Sequence, residues 1–396
     1  MAIDYSRVQT LSNMEKALKE NYLPVWRNGL TTEPTPLLSK IKKVKLTSNE
    51  IVASAPVGLS GGFGFGAEGL DTPAAGRVQF ERFKTYAKDM YVNIAISAKA
   101  VRLTGSGGSM ANALDTEVKA AYETAKWNVG RSLFGNGDGV LTKCTCDGTK
   151  VITVEDTKFM KEGLIVDVMF DKTVHKDGVR ILAVDRMNKK ITVSDNVTAV
   201  GDAENKPFIT VQGSYKNEIT GLGAIFDPSK TTIYGVDRTN NAYLFPTVIG
   251  ADETSNEIND GILWDAVEQA ETYKNSKIDM MLMGRNAYKS YVEYLRTNNT
   301  RVETITKEIV GGFKSLAFAF GSREIDMVYE QFVPENEVWC IESGALELHT
   351  QEWDFADLQG GGIFNLMENS SVYRALLANY GDLICTNPGG CVRIVM

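Results

Sequence analysis

The sequence predicts an α+β protein that carries a small all-β module inside a mixed framework. Three observations carry this. One helix is long and amphipathic, the second half alternates strand-like and helix-like runs, and a block between them contains short β-branched runs only.

The chain has 396 residues, 43% hydrophobic and 23% charged, which suits one to three globular domains with a sizeable core. Its net charge is -8. A protein that grips nucleic acid through phosphates needs a strongly cationic face, so this balance argues against tight binding. It allows a wall that encloses nucleic acid and contacts it weakly. Five cysteines occur, Cys144, Cys146, Cys340, Cys385 and Cys391, with no CxxC pair, which fits reduced thiols in a cytosolic setting. The start, MAIDYSRVQT, lacks the pattern of a signal peptide. No apolar run approaches about 18 residues, so no membrane span is expected.

In chain order, residues 1–47 read as an arm. Val8 to Leu18 is amphipathic, and Pro24, Pro34 and Pro36 then favour an extended path. Lys40, Lys42, Lys43 and Lys45 form a basic cluster, either a solvated face or a contact to an acidic partner. Residues 48–90 read as a long hairpin. Glu50 to Val57 is strand-like, Gly58 to Gly76 is glycine-rich, and Arg77 to Ser97 alternates polar and apolar residues. A two-stranded hairpin is marginal by itself, so its length implies support from outside its own domain.

Residues 91–142 contain the clearest helix, with Leu114, Val118, Ala121, Tyr122, Ala125, Val129 and Leu133 on one stripe and a stop at Gly135. Residues 143–217 hold the β-branched runs Val151–Val154, Leu164–Val168, Val179–Val184, Lys190–Val193 and Phe208–Val211, a barrel or sandwich inserted between helical stretches. Over 218–340, Thr254 and Glu257 read as a capping box ahead of a helix through Ile258, Leu263, Val267 and Ala270. Ile278–Met283, Ile325–Tyr329 and Glu337–Ile341 read as strands, and Arg285–Arg296 as a helix. In 341–396, Tyr373–Leu377, Leu383–Thr386 and Cys391–Val395 are strand-like.

Candidates for chemistry are few. Gly64-Phe65-Gly66-Ala67-Glu68-Gly69 matches G-x-G-x-x-G, but Pro73 follows and no helix opens, so it reads as a loop. Cys144-x-Cys146 has neither a nearby histidine nor a second pair to complete a zinc site. His175 and His349 have no partner nearby in sequence. Acidic residues are plentiful, so the sequence leaves a carboxylate pair for glycoside cleavage open; Glu352, Asp354 and Asp357, beside Trp353 and Phe355, are candidates, and a solvated loop edge explains them better. Tyr288, Tyr291 and Tyr294 repeat along one helix, where core or subunit packing is a better reading than base stacking. No catalytic residue, cofactor site or metal site is assigned.

The order of elements resembles the tailed-bacteriophage major capsid proteins, the Hong Kong ninety-seven-type shell fold. The phrases that carry the resemblance are Asn93-Ile94-Ala95-Ile96-Ser97, Arg131-Ser132-Leu133-Phe134-Gly135-Asn136-Gly137, Glu218-Ile219-Thr220-Gly221-Leu222, and Asn379-Tyr380-Gly381-Asp382-Leu383 through Asn387-Pro388. It implies an N-terminal arm (1–47), an extended loop (48–90), a peripheral domain with a spine helix (91–142), an inserted β domain (143–217), an axial domain (218–340) and a return to the peripheral domain (341–396). The implied function is a virion shell built in host cytoplasm from hexamers and pentamers. A separate scaffolding protein, a portal protein and weakly contacted double-stranded DNA are the implied partners, with no membrane. Contacts between copies are expected at Pro34, Pro36, Phe63, Phe65, Glu68, Arg77, Glu81, Arg82 and Lys84. Some relatives form Lys–Asn links; Lys84 or Lys88 with Asn387 is the pair to test, although no catalytic carboxylate is identifiable. Three alternatives are a nanocompartment shell of the same fold, a hydrolase with a β-rich substrate-binding module, and a different virion part such as a tail tube protein.

Overall fold

The computed structural model describes residues 18–57, 61–65, 74, 76–77, 79–97, 109–202, 204–250, 257–297, 307–309, 313–356, 363–367 and 370–396. They form two units, Gly135–Gly221 and the rest of the chain.

In the larger unit, the strand Val372–Cys385 organises a six-stranded sheet. It pairs with Lys88–Ser97 in unbroken antiparallel register from Val372↔Ser97 to Gly381↔Lys88. It also pairs with Leu346–Thr350, Asp354–Phe355 and Phe364–Leu366. Residues alternate across a strand, so Ile94, Ala375 and Leu377 face one side. There they join Trp26, Leu30, Val118 and Ala125 in one buried cluster. Val118 and Ala125 belong to the long helix Ser109–Phe134.

A second sheet of seven strands has the order Thr247–Gly250, Val392–Val395, Glu337–Ile341, Met280–Met283, Arg323–Tyr329, Phe313–Phe320, Lys307–Ile309. Met280–Met283 lies in its middle and is buried at all four positions, as expected of a strand covered on both faces. The helices Asp260–Lys274 and Arg285–Thr297 contribute Leu263, Val267, Ala270 and Tyr291 to its core.

The unit Gly135–Gly221 contains a closed six-stranded barrel: Phe208–Val211, Val140–Cys146, Val151–Val154, Lys190–Val193, Thr173–Asp185 and Ile165–Phe170, which returns to the first. Closure leaves no sheet edge exposed. Ile152, Val154, Val166, Val168, Val179, Ile181, Ile191, Val193 and Ile209 are buried, as are Cys144 and Cys146. Its entering and leaving chains run side by side. Lys216 N donates to Asp138 O at 3.0 Å, and a Cβ on Gly139 would lie 2.4 Å from Ser214 O.

Several expectations need correction. Residues 18–40 are helical, not extended: a π-helical turn Leu18–Tyr22, then Leu23–Thr32 and Pro36–Lys40. Pro24 and Pro36 occupy the first turns of their helices, where a missing N–H costs nothing. Leu18, Trp26, Leu30, Leu37 and Leu38 are buried in the chain's own core. Residues 1–17 lie outside the described residues. The run Arg77–Ser97 is two strands, Gln79–Tyr86 in the hairpin and Lys88–Ser97 in the six-stranded sheet. The helix starts later than expected, at Asp260: Asn259 caps it, accepting from Ile262 N, and Glu257 and Ile258 precede it. Thr254 lies outside the described residues. The tail's first two runs are one strand, Val372–Cys385.

Candidate interaction surface

The hairpin is a regular two-stranded ribbon, Glu50–Val57 against Gln79–Tyr86, in register from Glu50↔Tyr86 to Val57↔Gln79. Alternation divides it into two faces. On one, Ile51, Ala53 and Ala55 oppose Thr85, Phe83 and Glu81. Ile51, Ala55, Phe83 and Thr85 are buried. The other face presents Val52, Ser54, Phe80, Arg82 and Lys84 to solvent. The legs stay close beyond the paired strands, since a Cβ on Gly62 would lie 2.7 Å from Gly76 N. Phe63 and Phe65 then stand 83% and 95% exposed, packed edge to face at 5.3 Å.

The base of the ribbon is fixed to the body. Lys84 N donates to Tyr234 O at 2.8 Å. The rings of Phe83 and Tyr234 lie 5.4 Å apart. Thr85 Oγ1 bonds the Asp382 carboxylate, and Asn241 Nδ2 donates to Glu81 Oε1 at 3.1 Å. Burial pushes the Tyr234 hydroxyl well above its ordinary range, and its oxygen accepts from Cys385 N at 3.2 Å. On the open face Glu50 meets Lys84 at 3.0 Å and Arg82 at 3.8 Å. The hydrogen bond to Glu50 raises the Lys84 pKa, which keeps this amine protonated.

The nine contact candidates therefore separate. Phe63, Phe65, Arg77, Arg82 and Lys84 lie exposed along the ribbon. Glu81 is half-buried and engaged by Asn241. Pro34 is half-buried, and Pro36 is buried within its own chain. Glu68 lies outside the described residues. Tyr234 and Asn241, which help hold the base, carry no sequence signal, because their separation from the ribbon exceeds any local pattern; Asp382 lies in one of the phrases that carry the resemblance, but nothing there points to the ribbon.

The residues weighed for chemistry have structural partners. Cys144 Sγ and Cys146 Sγ lie 4.0 Å apart in the barrel interior. No group of three or more His, Cys, Asp or Glu side chains suited to a metal occurs among the described residues. Burial raises the Cys340 thiol to about 12, which makes it unreactive. His175 bonds Thr198, and His349 lies 3.3 Å from Glu347. Arg27 pairs with Glu352 at 3.4 Å and Asp354 at 3.3 Å; Asp357 lies outside the described residues. Tyr291 donates to Asp260 Oδ1 at 3.0 Å within the core, and Tyr288 and Tyr294 pack against that core. Two lysines of the basic cluster meet the chain's own acids, Lys40 with Asp326 and Lys42 with Glu347. The Asn387 amide is occupied at both ends, by Lys274 O and Gly390 N, so it is not poised for a Lys link.

The chain has an α+β fold with two sheets, a long helix and a small closed barrel, and its likeness to a solved phage capsid chain shows that this fold is of the Hong Kong ninety-seven type. Among solved structures, the chain matches one in the capsid asymmetric unit of cyanophage A-1(L) with a TM-score of 0.52 and 12% identity, covering 91% of this chain and 92% of that one. It is also similar to a chain of the satellite phage P4 procapsid (TM-score 0.45, 11% identity, 94% and 90% covered). A third is a chain of the holo-SrpI encapsulin complex from Synechococcus elongatus PCC 7942 (0.44, 6%, 91% and 86%). No family model and no curated protein matches the sequence.

Proposed function

We propose that this chain is the major head-shell protein of a tailed double-stranded DNA bacteriophage. Copies join into hexamers and pentamers and close an icosahedral shell around the genome. The observation that carries this reading is the ribbon: anchored at its base, it carries solvent-exposed Phe63 and Phe65. Burying a phenylalanine side chain contributes about 1.5–3 kcal/mol, so a ribbon laid on a sister copy turns these exposed rings into association energy. Shell contacts of this kind are heterologous and close by rotation, which suits a protrusion on one edge and a receiving surface on another.

In this reading residues 218–340 form the axial domain, 91–142 and 341–396 the peripheral domain, and 143–217 an inserted domain. A separate scaffolding protein directs closure and a portal protein occupies one vertex. With a net charge of -8, the wall holds its DNA loosely.

Electron microscopy of the purified protein, with and without a co-expressed scaffold, tests the proposal. Closed spheres are expected, and deletion of Gly58–Gly76 should abolish them while the chain stays soluble and folded. Persistent monomers at every concentration and scaffold ratio, tubes instead of spheres, or normal shells from the deletion variant would each count against it.

A further inference from the structure

The ribbon's direction is set where its base meets the segment 227–245. That segment has little regular structure: a two-residue pairing Thr232–Ile233 with Val236–Asp237, and one 3-10 turn, Ala242–Leu244. Yet it supplies the Tyr234 carbonyl and ring and the Asn241 amide that hold Lys84, Phe83 and Glu81. Something must keep it rigid.

Arg238 is fully buried, at 0% exposure. Its Nη1 donates to the carbonyls of Ala224 (3.4 Å), Asp227 (3.4 Å) and Lys230 (3.2 Å). Its Nη2 donates to those of Ile225 (3.0 Å) and Leu244 (3.4 Å). The guanidinium also lies 4.2 Å from the centre of the Phe245 ring. Its backbone N–H donates to Thr231 O at 2.7 Å. No side-chain carboxylate is among these partners. Ala224 and Ile225 belong to the short helix Leu222–Phe226, whose last carbonyls lack a following turn to receive them. One planar cation thus ties a helix end to both ends of the loop. Burying this charge is costly, and the ring of carbonyl dipoles, with the Asp227 charge nearby, offsets that cost while the loop keeps this shape.

We infer that segment 227–245 is the socket that aims the ribbon, and that Arg238 is the positioning residue that holds the socket in shape. Arginine is needed for its geometry. A guanidinium forks toward several carbonyls in one plane and stacks on a ring, whereas a lysine ammonium keeps the charge without the fork. The consequence of this socket for shells rests on the head-shell reading.

Hydrogen–deuterium exchange on the purified full chain tests the inference, comparing the unaltered protein with Arg238→Lys and Arg238→Met. In both variants, exchange of the Lys84 amide and across residues 231–245 should rise at least about tenfold, the scale of a lost interaction worth roughly 1.4 kcal/mol. The central strand Met280–Met283 should keep its protection, and shells should become fewer and irregular. Lys84 protection at the unaltered level overturns the inference. So does an equal rise at Met280–Met283, or insolubility of both variants, because either makes Arg238 a support of the whole fold and not of the socket. If the unaltered protein forms no shells yet the local exchange pattern appears, the socket is supported and the head-shell reading fails alone.

Discussion

Asp167 shows how a single residue can invert a strand pattern. In the run Leu164-Ile165-Val166-Asp167-Val168 the acid is the natural outward residue, yet it is buried beside Val166 and Val168. The pairing with Thr173–Asp185 slips between Val166 and Val168, a bulge that re-aims the side chain. Its Oδ1 accepts from Gly178 N and its Oδ2 from Gly213 N, each at 2.8 Å. Both glycines sit at positive φ, +61° and +70°, which places their amides at the carboxylate without a Cβ penalty. Asp167→Asn keeps one acceptor and faces the second amide with an NH2 group. It should destabilise the barrel by about 1–3 kcal/mol in chemical denaturation. An unchanged midpoint would show that the two amides find other partners. Neither this bulge nor the cradle around Arg238 was legible in the sequence, since each depends on backbone groups brought together from distant positions. The β-branched runs around Asp167 were legible, because short apolar runs bounded by Gly, Asp and Asn report local preference directly.

Among elements, the N-terminal helical segment is where local reasoning and tertiary packing diverge. Proline spacing favoured an extended arm, but Trp26 and Leu30 fill a groove between the long helix and the six-stranded sheet, and burial decided the conformation. Ionic contacts reinforce it from both ends. Glu33 accepts from Tyr122 and Lys126, each at 3.0 Å, and Lys42 meets Glu347 at 2.6 Å. Both glutamates have lowered pKa values, Glu33 chiefly through its hydrogen bond to Lys126 and Glu347 chiefly through that to Lys42. A carboxylate depressed in the folded state stabilises it above the ordinary value of 4.5, and that contribution disappears as pH falls through the lower folded values. The segment should therefore loosen below about pH 4.5. Amide exchange over residues 23–45 should quicken there before the central strand Met280–Met283 responds. Uniform loss across the chain would mean that these pairs have no local role. The ribbon is the complementary case. Its two strand runs were readable from composition, whereas its return strand's end at Tyr86 was not, because strand-like residues continue on both sides of Ala87 into Lys88–Ser97.

For the whole molecule, the decisive property is that Gly135–Gly221 closes on itself. A closed barrel satisfies its own backbone hydrogen bonds, and its interior is filled by its own side chains. The chain enters and leaves by adjacent strands, tied by Lys216 N to Asp138 O at 3.0 Å. A variant lacking residues 139–215, with Asp138 joined directly to Lys216, needs little backbone movement at the junction. Both pieces should then fold separately, the barrel as a small β protein and the remainder with its two sheets intact. The tryptophans make the second half of this prediction measurable. All five, Trp26, Trp127, Trp264, Trp339 and Trp353, lie outside Gly135–Gly221. Three of them, Trp26, Trp339 and Trp353, are buried, so the emission spectrum reports the larger unit and is blind to the barrel. The deletion variant should reproduce the emission maximum of the full chain and unfold with a smaller denaturant slope, since less surface is exposed on unfolding. A red-shifted spectrum or loss of soluble protein would mean that the larger unit depends on the barrel to fold, making the insertion a part of the core architecture and not an addition to it.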